Sequence, residues 1–298
     1  MLFRSSKDPK DFRETGTLKH IWSLFRQDRI ALFSFYALLL LISTALLSPF
    51  IAPYSAETQF IGQELMPPSW AANGEIAYFL GTDDIGRDVL SRIIVGSTYT
   101  VGASLIVVIT TAILGGGLGI WAGMSQGIQS RILGHLLDTF LTIPVLLVAI
   151  IIATLMEPGL LNAMLAITLA LLPYFVHEIY RSIQLELKKE YVLMLRLDGI
   201  SKWALLKSTI LPNIAVQYIQ ETSRVFTTAI LDISALSFIA LGAQRPAPEW
   251  GAMIRDSLEL IYLAPWTVLL PGFAIIFSIL IGLMFSNGLC RAITKYYE

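Results

Sequence analysis

Six runs of this chain are long and apolar enough to cross a lipid bilayer: 30–48, 98–124, 136–156, 160–179, 215–241 and 266–289. A helix spanning the hydrocarbon core needs about 20 apolar residues. In lipid the backbone must satisfy its own hydrogen bonds, which leaves helices as the form for runs of this length. One globular core cannot hide them all. Hydrophobic residues make up 55% of the chain and charged residues 14%, against about 25% charged in a soluble domain. The expectation is an all-α integral membrane protein with six transmembrane helices.

The charges set the orientation. Arg4, Lys7, Lys10, Arg13, Lys19, Arg26 and Arg29 precede the first run. Arg131 lies between the second and third. Arg181, Lys188, Lys189, Arg196, Lys202 and Lys207 lie between the fourth and fifth, and Arg291 and Lys295 follow the last. The opposite side holds only Arg87, Arg92, Arg245 and Arg255. Lys and Arg concentrate on the cytoplasmic side, so both termini are expected there. The first run is too long for a cleaved signal peptide, and Pro49, Phe50 and Pro53 follow it instead of a small-residue cleavage site. Residues 1–29 read either as an amphipathic lead-in at the inner surface, through Ile21, Trp22, Leu24 and Phe25, or as a disordered tail. The single cysteine, Cys290, permits no internal disulfide.

Residues 190–213, EYVLMLRLDGISKWALLKSTILPN, form a polar but amphipathic island between apolar blocks. A plain connecting loop has no use for Leu193, Leu195, Leu197, Ile200, Trp203, Leu205 and Leu206. The pattern predicts a short helix, a turn at Asp198-Gly199 with Gly199 in the left-handed region, and a second helix halted before Pro212. Such a helix pair suits docking into a groove on a soluble partner.

Glu190-Tyr191-Val192, Arg196, Gly199 and Ile210-Leu211-Pro212-Asn213 resemble the loop by which ABC importer permeases, in their dipeptide/oligopeptide branch, engage an ATPase. Two further stretches carry the likeness: Gly81-Thr82-Asp83-Asp84-Ile85-Gly86-Arg87-Asp88-Val89-Leu90, and 236–251 with Trp250-Gly251. Met194 and Leu195 stand where the family often has two alanines. The resemblance covers about residue 30 to the end. It implies a type I importer permease in the bacterial inner membrane, divided as 1–29 cytoplasmic lead-in, 30–48 first span, 49–97 periplasmic segment with an elbow, 98–290 core with coupling loop 180–213, and 291–298 cytoplasmic tail. The implied partners are a homologous permease subunit, two cytoplasmic ATPase subunits, a periplasmic peptide-binding protein and membrane lipid, with no nucleic acid. No cofactor is expected in this chain; ATP and magnesium belong to the partner subunits. The implied cargo is a peptide, including antimicrobial peptides, with a polyamine as the alternative.

The remaining polar groups were weighed for chemistry. Gly81 to Asp88 reads as a turn into a helix from about Asp84, with Thr82 or Asp83 as N-cap, Asp84 exposed and Asp88 paired with Arg87 or Arg92. Three carboxylates invite a metal reading, but capping and pairing account for them. Gly115, Gly116, Gly117, Gly119 and Gly123 are followed by no Gly-Lys-Ser/Thr, so they read as close helix packing and not as a phosphate loop. His135 reads as solvated, and Asp138 as sitting at a helix start. Pro144 reads as a kink. His177-Glu178 lacks the second histidine of a zinc helix, since Arg181 stands there. Glu221, Arg224 and Asp232 fall on roughly one face of the fifth run. They either line a translocation path, for which Arg224 and Asp232 are the candidates, or pair structurally, as Glu221 and Arg224 suggest. The loop 242–251 reads as an outer loop with Trp250 as membrane anchor and a short helix within 253–263. No catalytic constellation is present. A gradient-driven transporter or channel, or a membrane-embedded enzyme, leaves the docking island without a purpose.

Overall fold

The computed structural model describes residues 17–125 and 141–297. The described residues form helices joined by turns, with no strands among them. In order these are α1 (Thr17–Gln27), α2 (Arg29–Ile51), α3 (Val89–Ser97), α4 (Ala103–Met124), α5 (Val145–Thr154), α6 (Leu160–Glu186), α7 (Glu190–Leu197), α8 (Lys202–Leu205), α9 (Leu211–Phe238), α10 (Trp250–Ser257) and α11 (Trp266–Tyr297). Two wide π turns, Thr98–Gly102 and Leu206–Ile210, join α3 to α4 and α8 to α9.

Four helical stretches have the length and apolar composition to cross a bilayer: Arg29–Ile51, Val89–Met124, Leu160–Glu186 and Trp266–Tyr297. The third expected run is represented by α5, a shorter apolar helix. Its first residues, with Arg131, His135 and Asp138, lie outside the described residues, as do Arg4, Lys7, Lys10 and Arg13. Pro144 stands at the N-cap of α5, where a missing N–H has no helical partner to lose. The fifth expected run is α9. It is 28 residues long, about 42 Å at 1.5 Å per residue, but its Glu221, Arg224 and Asp232 dilute its apolar character. The second expected run starts earlier than composition suggests. Helix α3 continues through the π turn into α4, so the elbow and the span are one helical stretch from Val89 to Met124.

Between helices in lipid there is no hydrophobic gain, so close approach at small residues carries the packing. The most extensive helix pair is α4 on α6. A Cβ added to Gly115 would meet Phe175 at 2.9 Å, one at Gly119 would meet Ile179 at 2.8 Å, and one at Gly123 would meet Ile183 at 2.9 Å. This four-residue spacing is one face of a helix. Gly116 turns towards Tyr218 of α9, and Gly117 faces open space. Buried Val107, Ala163, Ala166, Ile167, Ile230 and Ile233 complete the seam among α4, α6 and α9.

Helix α1 docks on the N-terminal end of α2 and the C-terminal end of α11 through Phe25, Ala31 and Ala292, with Ile21, Leu24, Phe35 and Phe285 packed around them. Asp28 caps α2, accepting from the Ile30 and Ala31 N–H groups, and pairs with Arg291 at 2.7 Å. The lead-in is therefore a fixed helix from Thr17 onward.

Replacing Gly119 by leucine should destabilise the chain by about 1–3 kcal/mol, because the added carbons have no room against Ile179. Gly117→Ala should leave the midpoint unchanged or raise it. Thermal unfolding of the detergent-solubilised protein reads both, and equal losses at the two positions would refute the packing assignment.

Candidate functional site

The island 190–213 folds as expected at its turn. Helix α7 ends at Gly199, whose φ is +81°. The Gly199 N–H donates to the Arg196 carbonyl (3.1 Å) and the Ile200 N–H to the Leu195 carbonyl (3.2 Å), a Schellman closure. Nothing lies within 4 Å of a Cβ built at Gly199, so its backbone angle, not crowding, asks for glycine. Ser201 then caps α8, its side chain accepting from the Ala204 N–H. Glu190 at the first turn of α7 and Arg196 at the last both favour the helix dipole.

The expected halt before Pro212 does not occur. The chain stays helical from residue 202 to 238, and Pro212 sits in the first turn of α9. The π turn explains this. The Leu211 N–H reaches back to the Leu206 carbonyl, so the ladder is already widened where Pro212 supplies no N–H.

Both ends of the island are tied to the body. The Tyr191 hydroxyl donates to Glu186 at the end of α6 and accepts from Asn213 Nδ2 at 2.8 Å. Lys189 pairs with the other Glu186 oxygen at 2.7 Å. Burial, with the Glu186 carboxylate beside it, pushes the Tyr191 hydroxyl up to about 12. Tyr191 and Asn213, far apart in sequence, are thus brought together, and Glu186, which the sequence did not single out, accepts from Tyr191 and pairs with Lys189. Val192, Leu205, Leu206 and Ile210 are buried and Leu195, Ile200 and Leu211 partly so, holding the island on the core. Leu193, Met194, Leu197 (88% exposed) and Trp203 (80% exposed) point away from it. The island therefore has one apolar face spent on the fold and another left open.

At the other end of the molecule, the motif around Asp83 is a folded turn and not a helix start. Gly81 and Gly86 have φ of +81° and +70°, and Thr82 and Asp88 form an isolated bridge. The expected roles are exchanged. Asp88, not Thr82 or Asp83, caps the helix, and that helix is α3, accepting from Ser91 N–H and hydroxyl at 2.8 and 2.6 Å. Asp83 accepts from the backbone N–H groups of Ile85 and Arg87 and from Arg87 Nε at 2.6 Å, and lies 3.6 Å from Arg92 Nε. A cap must sit one residue before the helix, and closing the 82–88 bridge puts Asp88 there. Asp84 is only partly exposed, 3.7 Å from Arg87. No group of three potential metal ligands occurs among the described residues.

Trp250 is not a membrane anchor. It is 2% exposed, and its indole N–H donates to the Ile93 carbonyl at 3.1 Å. Gly251 lies against α9, where an added Cβ would stand 2.1 Å from the Ser234 carbonyl oxygen. The residue between Pro248 and Trp250, Glu249, is fully buried and was not singled out either. Its burial pushes the carboxyl up, while Thr100, Ser234 and backbone N–H groups donate to it.

In α9, Glu221 is buried and lies 3.6 Å from Arg224, whose side chain is half exposed. Asp232 is buried with Oδ2 unpartnered. Glu221 and Asp232 share a face more closely than either shares it with Arg224, as eleven residues return nearly to the starting angle of a 3.6-residue helix.

The structure thus has several helices long and apolar enough to cross a membrane and a braced, half-apolar helix pair at one end. The fold is similar to the inward-facing MetNI methionine ABC transporter, with TM-score 0.57 over 68% of this chain and 96% of that chain at 12% identity. A family model described as the binding-protein-dependent transport system inner membrane component matches residues 115–295. The N-terminal TM domain of oligopeptide transport permease C matches residues 16–68. The chain belongs to the binding-protein-dependent transport permeases, in their dipeptide/oligopeptide branch. It is 64% identical to the peptide transport system permease protein SapC of Haemophilus influenzae, over 98% of this chain and 99% of the relative. It is 47% identical to SapC of Escherichia coli O6:H1, covering 96% and 97%. With the di/tripeptide transport system permease protein DppC of Pseudomonas aeruginosa it shares 37%, covering 93% and 91%. It is a multi-pass membrane protein.

Asp83→Ala should destabilise the protein by about 3–5 kcal/mol, because Arg87 and Arg92 are left buried without their carboxylate. Asp84→Ala should stay within about 0.5 kcal/mol. Melting of the two variants in detergent separates a structural clamp from a surface ion pair.

Proposed function

We propose that this chain is one of two permease subunits of an ATP-driven peptide transporter in the bacterial inner membrane. It crosses the membrane six times, with both termini cytoplasmic, and the segment 180–213 lies on the cytoplasmic side. Two ATPase subunits bind there, one to each permease, and hydrolyse ATP with magnesium; this chain performs no covalent chemistry. A second, homologous permease completes the translocation path, and a periplasmic peptide-binding protein delivers cargo to the outer loops. Antimicrobial peptides fall within the cargo class.

The observation that carries this reading is the exposed apolar face of the island. Leu193, Met194, Leu197 and Trp203 stand on two short helices whose inner faces are buried and whose ends are pinned by Glu186, Tyr191 and Asn213. A mobile loop cannot transmit force; a braced helix pair can. Its second helix runs without a break into α9, so displacement at the docking face travels along that helix into the membrane. There the accessible Arg224 and the buried Asp232 are the candidate contacts of the path.

Leu197→Asp with Trp203→Asp tests the docking face without touching the core, since both side chains are largely exposed. In complexes purified with the co-expressed subunits, native mass spectrometry should show ATPase retention falling about tenfold or more, as expected when interface anchors are removed. The permease pair should stay intact. Full retention of both ATPases would refute the docking assignment.

A further inference from the structure

Glu249 lies between the outer ends of α4 and α9 and is 0% exposed. Its Oε1 accepts from the Thr100 hydroxyl in the first π turn (2.9 Å) and from the Ser234 hydroxyl on α9 (3.0 Å). Its Oε2 accepts from the Ala252 N–H at 2.9 Å, capping α10. A cap requires only the second of these oxygens. The first bonds two other helical stretches, so one side chain joins three.

The backbone closes the same seam. The Trp250 N–H donates to Thr100 Oγ1 at 3.2 Å. A Cβ at Gly96 would stand 2.3 Å from the Pro248 carbonyl oxygen, and one at Gly251 would stand 2.1 Å from that of Ser234. The segment 248–251 is therefore wedged with no slack between α3 and α9. Ser234 rides on the helical stretch that starts at residue 202 in the docking island. Thr100 sits in a π turn, a deformation that recurs where helices do work. Separating α4 from α9 at this level would strip a fully buried carboxylate of at least one donor, a costly loss away from water.

We propose that Glu249 is a positioning residue that holds the outer ends of α4 and α9 in register, so that displacement of the docking island arrives at the outer face as one movement of both helices. The source of that movement rests on the transport reading above; the registration rests on the geometry alone.

The test uses the intact transporter in nanodiscs, with spin labels at Ile106→Cys on α4 and Leu231→Cys on α9 in a cysteine-free background. Both positions are exposed. Pulsed electron resonance should give one narrow distance with Glu249 present. Glu249→Ala should broaden or split it, and Glu249→Gln should restore it, because the amide accepts at one end and donates to two hydroxyls at the other. Thr100→Val with Ser234→Ala, which spares the α10 cap, should broaden it as well and serves if Glu249→Ala does not fold. On addition of ATP and orthovanadate the parent distance should shift. In the variants lacking the bonds that shift should be lost while the ATPases remain bound and active. Distances in those variants that match the parent, at rest and with ATP, would overturn the proposal. A parent that shows no ATP-linked shift, with broadening on bond removal, would sink the transport reading and leave the registration by Glu249 standing.

Discussion

The fold depends on how closely its helices approach one another. With lipid as apolar as leucine, α4 gains nothing by burying its surface against α6 unless the two backbones come close enough for dense contact. Gly115, Gly119 and Gly123 permit that approach, and Phe175, Ile179 and Ile183 fill it. The consequence reaches beyond packing. Helix α6 ends at Glu186, and its placement against α4 sets where that carboxylate meets Tyr191 and Lys189. The position of the docking island is thus fixed by a seam of glycines inside the membrane body.

Burial governs the polar groups. Each end of the molecule resolves its buried carboxylates by surrounding them with donors. Asp83 takes two backbone N–H groups and two guanidinium groups; Asp88 takes a serine N–H and its hydroxyl; Glu186 takes Tyr191 and Lys189. A buried ion pair of this kind is poor evidence for stability, since its desolvation offsets much of its attraction. It does specify geometry, because the bonds accepted by Asp83, by Glu186 and by Asp88 Oδ2 form in one arrangement of their neighbours, although Asp88 Oδ1 has no partner. The Asp83 cluster accordingly fixes how the elbow turns into α3, and hence where the second span begins.

What the sequence made legible was local. Apolar runs marked the spans, and Asp198-Gly199 marked a turn, because helix termination at a left-handed residue needs only a few neighbours in the chain. What it hid was tertiary. Asp83 and Asp88 have the same chemistry and similar surroundings in sequence, and only the 82–88 bridge decides which one stands before a helix. Trp250 next to a proline-rich loop has the composition of an interfacial anchor, but its indole N–H finds the Ile93 carbonyl far away in the chain. Pro212 reads as the end of a helix, and the π turn Leu206–Ile210 just before it removes the conflict. Glu249 carried no signal at all, since its three donors come from three different elements.

The two π turns occupy corresponding mechanical positions. One lies where the docking island enters α9, the other where the elbow enters α4. A π turn leaves a carbonyl out of the regular ladder and widens the helix locally, so it bends more readily than the α-helix on either side. Helices α4 and α9 each run unbroken from such a turn, α9 from the island and α4 from the elbow. On the transport reading proposed above, a push on the island is taken up first at Leu206–Ile210 and carried along α9 to Ser234, where Glu249 joins it to Thr100. Both turns lie outside the glycine seam that holds α4 to α6.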